Sequence, residues 1–105
     1  RWGARAGAIA AGLAVPPPLD LTLKDAGATA DWAARLGGVS LAPGHVRLAR
    51  GEAVETLAGY REGAWWVQDL AASLPARLLG AGCGRRVLDL AAAPGGKSLQ
   101  LAAAG

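Results

Sequence analysis

Two periodicities organise the chain. Leu19, Leu21 and Leu23 alternate with Asp20, Thr22 and Lys24, and further on Val46 and Leu48 alternate with His45 and Arg47. A period of two places alternate side chains on opposite faces of an extended segment, so both stretches predict half-buried strands. Between them Thr29 is positioned to cap a helix over residues 30–36, with Asp31 in its first turn and Gly37-Gly38 to end it. Pro43-Gly44 predicts a turn, and His45 reads as a surface residue beside it. Upstream, alanine content predicts a helix over residues 2–14 despite Gly3, Gly7 and Gly12, and Pro16-Pro17-Pro18 ends it.

The second half is organised differently. Residues 52–63 have no clear period and read as a connector with room for one short strand. From Trp66 the spacing becomes helical: Leu70, Leu74 and Leu78 are four apart, and Val67 lies three before the first. Pro75 is expected to kink or break this helix. After a glycine-rich turn over 80–84, the apolar run Val87-Leu88-Asp89-Leu90 predicts a buried parallel strand. A loop of small residues and a helix over 97–104 follow. The expected organisation is a linker helix (1–15), a small α+β unit (16–62) and a β–α unit (63–105).

Composition narrows the classes. Hydrophobic residues make up 52% of the chain and charged residues 18%, which excludes a disordered tail. A single cysteine and a single histidine exclude a disulfide framework and a cysteine- or histidine-rich metal cluster, so no metal site is expected. Eleven Lys+Arg against eight Asp+Glu give +3 and a pI near 9.8, which is compatible with nucleic acid without pointing to it. Arg1 and Arg5 before the uncharged stretch 6–19 imitate a signal peptide. That stretch is too short to cross a bilayer and runs into prolines, so no membrane association is expected and a cytoplasmic protein is. Without any methionine, and with Ala102-Ala103-Ala104-Gly105 at its end, the chain reads as an internal piece of a longer protein.

Chemistry concentrates in the loop. Ala91, Ala92, Ala93, Pro94, Gly95, Gly96 and Lys97 join the expected strand to the expected helix. The first N–H groups of a helix lack partners within it and favour anionic ligand groups. Gly95 and Gly96 let the backbone approach a ligand closely. A purely structural turn is the plain alternative. The string Ala91-x4-Gly96-Lys97-Ser98 also differs from a phosphate-binding P-loop only in having Ala91 where the first glycine belongs. In that reading Lys97 reaches the phosphates and Ser98 holds magnesium. Asp89 beside the loop argues against a triphosphate and suits a ligand with a cationic centre, such as the sulfonium of S-adenosylmethionine.

Gln68-Asp69 ahead of Asp89-Leu90-Ala91-Ala92-Ala93-Pro94-Gly95-Gly96-Lys97-Ser98 resembles the Nop/Sun family of RNA cytosine-5 methyltransferases, most closely its bacterial small-subunit (16S) ribosomal RNA branch. The stretch Pro17-Pro18-Leu19-Asp20-Leu21 and the strand around Val46-Arg47-Leu48 are also similar to the small domain that precedes that family's catalytic domain. The family's motif has cysteine where this chain has Ala91 and threonine where it has Ser98. The resemblance implies a small α+β RNA-binding subdomain followed by the first β–α unit of a Rossmann-like domain, with S-adenosylmethionine on residues 91–97. It implies a monomer that acts on ribosomal RNA. It also implies two catalytic cysteines, one adding to carbon 6 of cytosine and one helping release, and both lie beyond Gly105. Cys83 matches neither and reads as a small turn residue.

Other residues have two readings each. Trp65 and Trp66 can pack between the units or stack on bases. Arg47, Arg50 and Arg61 can contact RNA phosphates or be solvated surface. A P-loop NTPase piece and a non-catalytic RNA-binding module stand as the alternative functions. On the methyltransferase reading, the chain by itself transfers no methyl group from labelled S-adenosylmethionine to ribosomal RNA, because the nucleophile is missing. Turnover that disappears on Cys83→Ala would overturn this expectation.

Overall fold

A computed structural model describes residues 1–49, 53–81 and 84–105. The two alternating stretches form β1 (Leu19–Leu23) and β2 (His45–Leu48), joined by β3 (Trp65–Val67) in an antiparallel sheet of order β2-β1-β3. Leu21 lies opposite Val46 on one side and Val67 on the other, and Leu23 lies opposite Trp65. Cross-strand partners share a face. Leu21, Leu23, Val46, Leu48 and Trp65 therefore line one face, where each is at most 5% exposed. Helix α2 (Thr29–Leu36) covers that face with Trp32, Ala33 and Leu36.

Strand β3 replaces the start of the helix expected from Trp66. Residues 65–67 satisfy the open edge of β1, and Trp65 supplies a large apolar side chain to the core, with its Nε1 donating to the Ala58 carbonyl at 2.9 Å. The sheet thus extends past the boundary drawn after residue 62. Gly59 makes the approach possible: its φ is 89°, and a Cβ there would lie 2.5 Å from the Trp32 ring and 2.7 Å from the Trp65 Nε1. The connector before it holds a short 3-10 turn (Val54–Thr56) and further turns, with no strand among the described residues of 53–64.

The helices follow the sequence reading with corrections. Helix α1 (Ala6–Leu13) extends a 3-10 turn (Gly3–Arg5) and is exposed throughout. Helix α2 ends at Gly37 (φ 67°), and the Gly38 N–H returns to the Ala33 carbonyl at 2.9 Å. Thr29 is not its cap. Its hydroxyl donates to the Ala26 carbonyl at 2.6 Å and accepts the Gly44 N–H at 2.8 Å, which ties the start of α2 to the Pro43-Gly44 turn. Helix α3 (Leu70–Leu78) runs through Pro75 without a break. Ala71, whose carbonyl Pro75 leaves without a helical donor, is exposed to water. Helix α4 (Gly96–Ala103) packs against α3.

The parallel strand expected over 87–90 is not formed. Val87, Leu88 and Leu90 are 54%, 81% and 89% exposed, and the segment lies outside the sheet. A strand exists only through a neighbour that shares its ladder, and no described segment provides one. Among the described residues the chain is mixed α/β with a three-stranded antiparallel sheet, and a Rossmann-like parallel sheet is absent.

The opposite face of the sheet is polar and covered. Asp20 and Thr22 of β1 lie opposite Arg47 and His45 of β2. The Asp20 carboxylate, in a residue 4% exposed, accepts Arg47 Nε at 2.7 Å, Arg47 Nη2 at 2.9 Å and the Leu70 N–H at 3.1 Å. His45 is fully buried, which corrects its reading as a surface residue: Nε2 lies 3.3 Å from Asp20 Oδ2 and Nδ1 accepts the Leu41 N–H. The Arg47 guanidinium, helped by the Leu70 N–H and His45 and opposed by burial, holds the Asp20 carboxyl well below the usual carboxylate range. A carboxyl depressed in the folded state contributes stability above its unfolded pKa and loses it as pH falls toward the folded value. Asp20→Asn is expected to cost about 2 kcal/mol at neutral pH. The gap from wild type should hold down to about pH 4 and close below it. Urea unfolding of both proteins across pH measures this, and a gap that stays constant into strong acid would contradict it.

Candidate functional site

Asp89 closes the loop that the sequence singles out. Its Oδ1 accepts the Ala91 N–H at 3.0 Å and its Oδ2 accepts the Ser98 hydroxyl at 2.7 Å, so one carboxylate ties both ends of residues 89–98 together. The Ser98 hydrogen bond, then the Ala91 N–H, lower the Asp89 pKa against an opposing effect of burial, with a lesser lowering by the Lys97 charge. Gly95 occupies the N-cap of α4 with φ 115°, and its carbonyl accepts the first helical bond from Leu99 at 2.8 Å. A side chain is strained at that φ, yet a Cβ at Gly95 would meet nothing within 4 Å, so the space in front of it is open.

The loop rests on the glutamine that precedes it by a full helix. A Cβ at Gly96 would lie 3.2–3.3 Å from the side chain of Gln68, so absence of a side chain at 96 lets α4 seat there. Gln68 is buried. Its Oε1 accepts Trp66 Nε1 at 2.9 Å, and its Nε2 donates to Gln100 Oε1 at 3.1 Å and the Ala72 carbonyl at 3.3 Å. Gln100 in turn donates to the Ser73 carbonyl at 2.9 Å. This chain of amides joins β3, α3 and α4, and it brings together the two halves of the motif, Gln68 and Gly95-Gly96.

Residues 91–94 are exposed and Gly95, Gly96 and Lys97 are half-buried. Ala91 and Lys97 border an apolar cleft of about 420 Å³, walled by Pro75, Ala76 and Leu79 on one side and Val87, Leu88 and Leu90 on another. That volume is in the range of small-ligand clefts. Exposed backbone, an open face at Gly95 and the unpaired N–H groups of the first turn of α4 fit a ligand with an anionic end. The Asp89 carboxylate supplies negative charge beside it. In the P-loop alternative the Ser98 hydroxyl holds magnesium; here that hydroxyl donates to Asp89, which leaves its oxygen lone pairs free and does not by itself decide between the two ligands. Among the described residues no group of three or more His, Cys, Asp or Glu side chains is arranged to hold a metal ion.

Arg47 is held by Asp20 on β2, Arg61 is exposed in the turns before β3, and Arg50 lies outside the described residues, as does Cys83. Trp65 is a core residue, and Trp66 is half-buried on the other face with its indole N–H on Gln68. Sequence reasoning missed the Asp20–His45 pair and Gln100. The first had a signal, since both strands place polar residues on the same alternate face. Gln100 had none, because a polar residue on a short terminal helix reads as solvated. No helix among the described residues is long and apolar enough to cross a membrane.

Comparison with known proteins finds no match: no family model, no curated protein and no solved structure matches the chain.

Removing the clamp gives a direct test of the loop geometry. In Ser98→Ala the Asp89 pKa should rise toward the ordinary carboxylate range, because the largest stabilising contact of its charged form is gone. Carboxyl-detected NMR titration reads this, and an unchanged titration would mean that the hydroxyl does not close the loop.

Proposed function

We propose that the chain is part of an S-adenosylmethionine-dependent RNA cytosine-5 methyltransferase that acts on small-subunit ribosomal RNA in the cytoplasm. The observation that carries this reading is the closed loop, with Asp89 tied to Ser98, Gly96 seated on Gln68 and the face of Gly95 left open. The cofactor, when bound, supplies a methyl group on a sulfonium. Residues 91–97 would hold it: the N–H groups at the start of α4 receive its carboxylate, and the Asp89 charge favours its cationic part. Lys97 supports the loop through its charge beside Asp89. Ala91, in place of the motif's cysteine, leaves that wall of the cradle apolar. The thiolates that attack cytosine and release the product belong, on the same resemblance, to sequence after Gly105, as does a Rossmann-like sheet in which 87–90 would pair.

The test is calorimetry on the protein extended beyond Gly105, with S-adenosylmethionine and with magnesium-ATP. S-adenosylmethionine should bind, and Gly95→Val should weaken it more than tenfold, about 1.4 kcal/mol or more. Lys97→Ala should cost less than Gly95→Val. Tight ATP binding that depends on Lys97, without S-adenosylmethionine binding, would overturn the proposal in favour of a P-loop.

A further inference from the structure

A second cleft, of about 320 Å³, opens on the polar face of the sheet between the end of β1, the Pro43-Gly44 turn and α4. Two cations line it, Lys24 and Arg77, and no carboxylate does among the described residues. Among the described residues Arg77 is held in place by neutral acceptors: Nε donates to the Ser73 hydroxyl at 3.2 Å and Nη1 to the Pro43 carbonyl at 2.8 Å. Its guanidinium is therefore oriented while no carboxylate among the described residues pairs with it, the state of an arginine that can receive an anion. Thr22 lines the same cleft, and its buried hydroxyl has no hydrogen-bond partner among the described residues. Such a group is rarely left unpaired.

The remaining walls set the ligand's shape. Trp66 borders the cleft with a half-buried indole. A neighbouring hollow of about 370 Å³ shares Lys24, Trp66 and Ala103 with it, which gives space for a second unit of the same ligand. Two cations for a phosphate and an aromatic wall for a base, beside an adjoining space, describe a nucleotide within a short strand.

We propose that this cleft binds one nucleotide of a single-stranded RNA, with its phosphate at Lys24 and Arg77 and its base against Trp66. The inference deepens the functional reading above and rests on it for RNA as the polymer, but it uses none of the cofactor-loop residues. Binding of a short labelled single-stranded RNA is measured by fluorescence anisotropy over a range of salt. Lys24→Ala, at an exposed position, should weaken binding several-fold at low salt and flatten the slope of log affinity against log salt by about 0.7, one lost phosphate contact. Arg77→Ala should do the same, with thermal unfolding run alongside to separate loss of fold from loss of contact. Arg35→Ala removes a cation that stacks on Trp32, away from the cleft, and should leave binding near wild type. Uridine monophosphate should compete, and inorganic phosphate at equal ionic strength should not. Wild-type affinity in Lys24→Ala, an equal loss in Arg35→Ala, or equal competition by phosphate would each overturn the proposal. S-adenosylmethionine binding, measured separately, should be unchanged in Lys24→Ala. Its absence from wild type would defeat the methyltransferase reading and leave the RNA result to stand or fall alone.

Discussion

One buried carboxylate holds the architecture together. Asp20 sits on the central strand and accepts from a side chain of β2 and from the first backbone N–H of α3. Those three elements come from distant parts of the chain, and a single charged group fixes how they meet. Taking a carboxylate out of water is costly unless its lone pairs are satisfied. The bidentate arginine and the backbone N–H meet that demand, so the polar face of the sheet can be covered by α3 instead of facing solvent. The sheet then has an apolar face that packs by area and a polar face that packs by geometry.

The polar face also determines how the loop is displayed. Thr22 and Trp66 lie opposite one another on it, and Trp66 holds Gln68, on which Gly96 rests. Strand β3 and the start of α4, some thirty residues apart in sequence, are thus linked through side-chain amides. Amide chains of this kind define distances more sharply than apolar packing does, because each link has one donor and one acceptor direction.

Much of this was legible in the sequence, and the failures have physical causes. Alternation gave β1, β2 and their apolar face, and Gly37 gave the end of α2. The same alternation marked Asp20, His45 and Arg47 as a shared face but could not say that α3 covers it, since a solvated face and a buried network have the same period. Trp66 and Val67 read as the start of a helical spacing because the three residues of β3 are too few to show a period of two, and only the open edge of β1 decides their state. The run at 87–90 has strand composition without a neighbour, and composition cannot supply a ladder. In the loop, the motif predicted which residues come close to Asp89, while the Ser98 clamp and the seat on Gln68 needed three-dimensional distances.

Helix α1 stands apart from these constraints. It has eight residues, three of its neighbours upstream form only a 3-10 turn, and none of its side chains is buried. A segment that short gains little from propagation once the nucleation cost is met, even when rich in alanine. Its helicity is consequently a helix–coil equilibrium of its own, outside the cooperative unit formed by the sheet, α2 and α3. On warming, that helix should therefore fade gradually, while the sheet that follows the three prolines should melt as one body.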